Sequence, residues 1–392
     1  MVAWAPICDI IGLCVLLFAP MSTSEQRRGI NSDLDNKHTS PTKGIVMEHV
    51  IVYGRHGHFA GWPANNGVWS WDDEILVGFT QGGYRQQSGH NIEPPFYSLL
   101  ARSRDGGETW QAWDPPNYVG DGGELTDLIE PIDFGRPGLA LRVVGAGYHG
   151  TEEKRGGFFF SYDLGDTWQG PYRFAGLVGH PELEGLELTP RTSYLVEGGE
   201  RCLFFLSARR PDSGMADRAF CARTGDGGLS FQFLTWMVPW SDPHRAVMPS
   251  VVQCSAQTLV AALRRRQVAD VCWIDAYMSH DAGQSWSFLS RVGETGDRNG
   301  NPPALLRLSD GRLCCVYGQR SRWQLIARLS DDQGESWLEE RVLRDDYASV
   351  EADADLGYPR LVQRADGRLV AIYYWATRDR PHQHIAATIW QP

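Results

Sequence analysis

One octapeptide pattern recurs five times along this 392-residue chain. SRDGGETW begins at Ser103, SYDLGDTW at Ser161, TGDGGLSF at Thr224, SHDAGQSW at Ser279 and SDDQGESW at Ser330. All fit Ser/Thr-x-Asp-x-Gly-x-Ser/Thr-aromatic, with Phe231 replacing tryptophan in the third. One copy would constrain little. Five, spaced by 51 to 63 residues, mean a chain of repeated units, and a repeat decides the architecture before any single motif does. The pattern suits a turn between two strands: the aspartate accepts backbone N–H bonds, the glycine takes a positive φ, and the aromatic ring covers the turn from the next strand. Asp105, Asp163, Asp226, Asp281 and Asp332 are therefore turn residues, not catalytic carboxylates.

A second register runs beside the first. Pro63, Pro131, Pro190, Pro249, Pro303 and Pro359 each precede a β-rich stretch, so six prolines and five octamers imply six units. Each unit reads as a strand from the proline, a tight turn, a second strand, a loop, a third strand, the Asp turn and a fourth strand. The predicted fold class is all-β, a six-bladed β-propeller of four-stranded antiparallel blades. The last unit ends at Pro392 with a third strand, HIAATIW, and no fourth. EHVIVYG, residues 48–54, precedes the first proline and can supply it, so that the N-terminal strand closes the ring. Alternating Val/Ile/aromatic runs and 43 glycines argue against a helical solenoid.

Residues 1–46 read as a leader and residues 47–392 as the propeller. IIGLCVLLFAP, residues 10–20, has the length of a signal-peptide core and is too short to span a bilayer, but no Lys or Arg precedes it. Residues 21–46 are polar and are expected to be disordered. An extracellular or periplasmic location follows if residues 1–20 are a signal, and a cytoplasmic one otherwise. Net charge is −11 and no basic run exceeds a few residues such as Arg264-Arg265-Arg266, which argues against a nucleic-acid partner. The eight cysteines show no C-x-x-C pair and no zinc spacing. Cys202, Cys221, Cys254, Cys272, Cys314 and Cys315 lie in apolar runs and are expected as buried thiols; no metal and no cofactor is expected.

Strand order sorts the remaining side chains between two faces. Asp turns and short hairpins share one; the starts of the first strands and the loops between second and third strands share the other. The second face gathers Trp62, Glu130, Thr189, Arg191, Asn301, Tyr358 and Arg360 near the prolines. Tyr84, Arg85, Arg209, Arg210, Arg264, Arg320, Arg322 and Trp375 come from the loops, and His56, His58, Glu184, Glu187, His244, Arg245, Arg298 and Asp355 from the connections. Charged and aromatic groups around an axial mouth predict a polar ligand pocket. Trp62 fits blade packing and sugar stacking equally well.

The Asp boxes, the six units and GYPRLVQRADG, residues 357–367, resemble the sialidase superfamily over essentially all of residues 48–392. The resemblance implies a tyrosine nucleophile in the last blade paired with a glutamate, an acid aspartate, and three arginines that clamp a substrate carboxylate. Tyr358, eight residues before Asp366-Gly367, matches the tyrosine. Arg264 matches the second arginine, and Arg320 or Arg322 the third. The family's first arginine belongs two residues before Pro63, where this chain has Gly61. The loop TQGGYRQQSGHNIEPP contains no aspartate, which leaves Glu93, His90, His56 or His58 for the acid and Glu187 or Glu130 for the glutamate.

The implied protein is an exo-acting, retaining glycosidase on an acidic glycan, a sialic acid or related sugar, acting as a monomer. Tyr358, Glu187 and His58 form its catalytic set, and Arg264, Arg320, Arg360, Arg191, Trp62 and Glu130 bind substrate. A uronate lyase with the same basic pocket and a non-catalytic propeller that binds glycans or a protein are the alternatives. Pro359 further predicts an extended backbone at Tyr358, with Arg360 on the same side of the strand.

Overall fold

The computed structural model describes residues 47–392 except 88, 119–123, 146–154, 212–215, 268–270 and 350–354. The expected leader, residues 1–46, lies outside the described residues. The fold is all-β: strands follow one another along the chain, and the α-helix among the described residues is a single turn, Pro63–Asn66.

The fourth and fifth units show the expected meander. Arg245–Gln253, Leu259–Arg266, Cys272–Ser279 and Ser287–Gly296 pair in sequence order, each antiparallel to the next. Ala304–Arg307, Leu313–Gln319, Gln324–Ser330 and Arg341–Arg344 do the same. The inner strands are covered on both faces by neighbouring sheets, and Leu313–Gln319 and Leu369–Trp375 are buried at every residue. That is why the sequence there runs apolar without a break instead of alternating. The outer strand Ser287–Gly296 is largely solvent-facing in its first half.

The last unit is completed from the other end of the chain. Gly357–Gln363, Leu369–Trp375 and His384–Trp390 form a sheet whose fourth strand is Met47–Tyr53, in register from Met47 opposite Trp390 to Tyr53 opposite Ile385. The buried edge of His384–Trp390 is thereby paired.

The early units depart from the expected regularity. Pro63 opens the helical turn, and the first strand, Gly67–Trp71, follows it. Much of the expected loop at residues 80–95 is strand, in Glu74–Tyr84 and Ile92–Ser103. Pro131 opens no strand: the Ile132 N–H donates to the Gly227 carbonyl at 2.8 Å, which seats this segment against the third Asp turn. The second unit is a three-stranded sheet of Ala140–Val144, Gly157–Ser161 and Gln169–Tyr172. The third and fourth units are joined by one parallel bridge, Arg218 to Ala246.

The five octamers fold alike. In the fourth, the Asp281 carboxylate accepts the Ser285 N–H at 2.9 Å, the Ser285 hydroxyl at 2.6 Å and the Ser279 hydroxyl at 2.8 Å, while the Gly283 N–H donates to Ser279 Oγ at 2.8 Å. Slight burial opposes ionisation, but these bonds outweigh it and hold the Asp281 carboxyl at a pKa of about 2. The fifth position has positive φ, as expected. So does the fourth, even where Leu164, Ala282 or Gln333 occupies it. The thiols of Cys202, Cys221, Cys272, Cys314 and Cys315 are buried and that of Cys254 is half-buried, consistent with packing roles.

Two outcomes follow from these contacts. A protein starting at Met47 should match the full chain in thermal stability, whereas one starting at His56 should aggregate or unfold, because it leaves His384–Trp390 as an unpaired edge; melting and gel filtration check this. Asp281→Ala should cost about 1 to 3 kcal/mol by orphaning turn hydrogen bonds, lowering Tm while ligand affinity in the folded protein stays unchanged.

Candidate active site

A cavity of about 300 Å³ opens on the face that holds the first-strand starts. Its charged lining is Arg191, Arg245, Arg264, Arg298, Arg320, Asp217 and Asp355, together with His90 and Tyr358.

Tyr358 reaches the cavity through a bulge. Pairing between Gly357–Gln363 and Leu369–Trp375 slips between Gly357 and Arg360, and Gly357 and Tyr358 take φ of 99° and 49°. The expected extended backbone at Tyr358 is thus replaced by a left-handed one. Trp62 and Met248, which also precede unit prolines, share it with φ of 60° and 55°. Asn301 pins the bulge: its Oδ1 accepts the Tyr358 N–H at 2.7 Å and its Nδ2 donates to the Leu356 carbonyl at 3.1 Å. A Cβ on Gly357 would stand 2.1 Å from Asn301 Oδ1, so both φ and space require glycine there. A strained residue held by a buried side chain from a neighbouring connection is characteristic of functional sites.

The bulge breaks the alternation that would have aimed Arg360 into the cavity. Instead its guanidinium donates to the carbonyls of Ala64 and Thr192, each at 2.7 Å, and tethers the helical turn to the third unit.

Arg264 and Arg320 converge on Tyr358. Arg264 Nη1 donates to the phenol oxygen at 2.9 Å, and Arg320 lies 5.9 Å from the ring centroid. Both are buried, and both are held by carbonyls of one unusual turn. Arg298, Asn299 and Gly300 are all left-handed, with φ of 53°, 69° and 60°. Arg264 donates to the Asn299 carbonyl at 2.8 Å and to the Gly300 carbonyl at 3.2 Å, and Arg320 to the Arg298 carbonyl at 2.8 Å. Burial opposes ionisation of the Tyr358 phenol, but Arg264, Arg320 and His90 outweigh it and bring its pKa down to about 7.

Two carboxylates flank this centre. Asp355 Oδ1 accepts His90 Nδ1–H at 2.9 Å and the Tyr374 hydroxyl, and lies 3.5 Å from Arg320 Nη2. Asp217 accepts the Thr189 hydroxyl at 2.8 Å and Arg245 Nε at 3.1 Å. Burial works against both, yet their cationic and hydroxyl partners hold both below the ordinary carboxylate range. For His90 burial works the other way, and the Asp355 carboxylate overcomes it to raise the imidazole pKa.

Of the residues expected from sequence, the cavity brings together Tyr358, Arg264, Arg320 and Arg191, the last with Nε bonded to Asn65 Oδ1 at 2.9 Å. Glu187 sits apart, paired with Arg209 at 2.9 Å across adjacent strands. His58 faces a different cavity, with Tyr53, Tyr97 and Trp113. Glu130 is solvent-exposed on the Asp-turn side, because Pro131 starts no strand. Trp62 is 1% exposed and packs its ring 4.9 Å from that of His90, which fits the packing alternative. Asp217 went unnoticed: nothing in the sequence marks it as the partner of Arg245, which another strand delivers.

A family model described as the BNR repeat-like domain matches residues 111–371. Among solved structures, the chain is similar to a protein of unknown function from Dyadobacter fermentans, at 22% identity and TM-score 0.66 over 89% of this chain and 99% of that one. It is similar to the α-L-arabinofuranosidase of Fusarium graminearum at 15% identity and TM-score 0.54, covering 87% and 96%. A Trypanosoma rangeli sialidase mutant displaying trans-sialidase activity aligns at 11% identity and TM-score 0.51, covering 88% of this chain and 58% of that one. No curated protein matches the chain. At these identities the likeness is one of fold, all-β and propeller-like.

The lowered phenol is directly measurable. Ultraviolet titration should show one phenolate forming as pH rises through about 7, absent in Tyr358→Phe and moved toward the ordinary tyrosine value of about 10 in Arg264→Gln.

Proposed function

The chain belongs to the BNR repeat-like family, and from that premise we propose that it is a member of the sialidase superfamily and an exo-acting, retaining glycoside hydrolase on a sugar that bears a carboxylate. The observation that carries this reading is the Tyr358 phenol hydrogen-bonded to Arg264 inside an arginine-lined cavity. Five guanidinium groups against two aspartates favour an anionic ligand over a neutral pentose. The small, one-mouthed cavity suits a terminal residue more than an internal stretch of polymer.

In this reading Arg264, Arg320, Arg191 and Arg245 hold the substrate carboxylate by charge-assisted hydrogen bonds. Tyr358 attacks the anomeric carbon as phenolate and forms a covalent intermediate that water then releases. A tyrosine suits an anomeric centre beside a carboxylate, which would repel a carboxylate nucleophile. Arg264 and Arg320 favour loss of its proton, which takes the place of a glutamate beside it, and Glu187 remains with Arg209. Asp217 orients Arg245. On the scaffold, we read the sheets as six blades closed by Met47–Tyr53, preceded by a leader and working as a monomer.

One observation also favours elimination beside a uronate: both cavity aspartates are engaged by arginines, leaving Tyr358 and His90 to handle protons. The products separate the two readings. Incubation with 4-methylumbelliferyl and oligosaccharide glycosides of N-acetylneuraminic and glucuronic acids should release a saturated free sugar. Tyr358→Phe should cut that rate by at least about 100-fold with the fold intact. An unsaturated product would replace hydrolysis by elimination, and binding without turnover would make the protein a lectin.

A further inference from the structure

The superfamily's usual acid has no counterpart in this cavity, since the first-unit loop contains no aspartate. We infer that His90, oriented by Asp355, is the proton donor and acceptor of this site, with Nε2 facing the glycosidic oxygen. The inference rests on the hydrolytic reading and names the group that completes it.

Three observations carry it. First, the position is built. His90 lies in the short loop between Glu74–Tyr84 and Ile92–Ser103, and its ring packs edge-on to the buried Trp62 at 4.9 Å between centroids. The Nδ1–H bond to Asp355 fixes the ring's rotation, and Asp355 is itself fixed by Tyr374 and Arg320. An imidazole anchored through Nδ1 exchanges protons through Nε2.

Second, the ring shares the cavity lining with Tyr358 and Arg320, so a sugar clamped by the arginines brings its leaving group within reach of both. Third, the rival acids fail on charge or position. Burial opposes ionisation of Asp217 and Asp355, but Arg245 and Thr189 around the first, and His90 and Arg320 around the second, hold both below the ordinary carboxylate range, which disfavours them as donors. Glu187 is engaged with Arg209, Glu130 is on the other side, and His58 opens to a separate cavity. Among the described lining residues, His90 remains as a proton carrier beside the nucleophile. Asp355 supports it by keeping the imidazole charged until the proton is needed.

The two steps balance. As the bond from Tyr358 Oη to the anomeric carbon forms, the bond from that carbon to the leaving oxygen breaks. Its electron pair goes to the oxygen, which takes the proton from His90 Nε2. Water then adds to the anomeric carbon and gives a proton back to Nε2, while the pair of the tyrosyl bond returns to Oη. The net reaction consumes one water and leaves the enzyme unchanged.

Leaving-group dependence tests the assignment, because a good leaving group needs no proton. The probes are the 4-methylumbelliferyl and the lactose- or methyl-linked glycosides of whichever of N-acetylneuraminic and glucuronic acids the wild type hydrolyses. His90→Gln should lose about 100-fold or more in kcat/KM on the alkyl-linked glycoside but less than about 10-fold on the aryl one. Asp355→Asn should show the same selectivity in weaker form. Added azide should restore turnover of the aryl glycoside by His90→Gln through an azide adduct, with no effect on the wild type. Equal losses on both substrates at unchanged Tm, or no azide rescue, would overturn the role of His90 while leaving Tyr358 as nucleophile untouched. Absence of hydrolysis by the wild type would overturn both readings.

Discussion

A guanidinium taken out of water must find acceptors, and this cavity surrounds itself with buried arginines. Around Arg264 the acceptors come chiefly from backbone, while Arg320 combines one backbone carbonyl with the Asp355 carboxylate and the Tyr374 hydroxyl. Three consecutive left-handed residues, Arg298, Asn299 and Gly300, turn their carbonyls onto the two side chains. Neutral carbonyls solvate the cations without cancelling them. The charge of Arg264 therefore stays available to the phenol and to a ligand, whereas a carboxylate in place of those carbonyls would have quenched it. Gly300 is needed for this as well: a Cβ there would stand 2.4 Å from Thr295 Oγ1.

Strain and electrostatics are coupled through the same few residues. Left-handed residues cost about 1 to 3 kcal/mol each where the side chain is not glycine, and they persist only when their surroundings hold them. Here Asn301 bonds the chain on both sides of Gly357, so the residue directly after the strained turn also locks the bulge that presents Tyr358. Preorganisation of this kind places the phenol against Arg264 before any substrate arrives, and the cations lower its pKa without reorganisation during reaction. His90, Asp355, Tyr374 and Arg320 form a second ordered group beside it. Tyr358 and His90 thus belong to one network, with Arg320 common to both sides of it.

The sheets serve this arrangement by their stiffness. Inner strands such as Leu369–Trp375 are packed on both faces, and the pairing of Met47–Tyr53 with His384–Trp390 leaves the last sheet without a bare inner edge. The Asp turns tighten the opposite face, far from the chemistry, and their carboxylates are fully occupied with their own backbone.

Local sequence determined much of this. The octamers specify turns by hydrogen bonds within eight residues, and GYPRL and the strand-end Arg264 mark half of the site, because those signals are short-range and repeated. The strand 47–53 was legible too, since a unit lacking a strand and a strand lacking a unit stood at opposite ends of the chain. Tertiary structure decided the rest. Arg360 was assigned by strand alternation, which a bulge cancelled; Glu130 by a proline that opens no strand; Glu187 and His58 by proximity to loops whose side chains turn elsewhere. The pairs His90 with Asp355 and Asp217 with Arg245 join residues 265 and 28 positions apart. Such pairs depend on which sheets meet at the cavity and on how each buried charge is neutralised, and no local pattern encodes that.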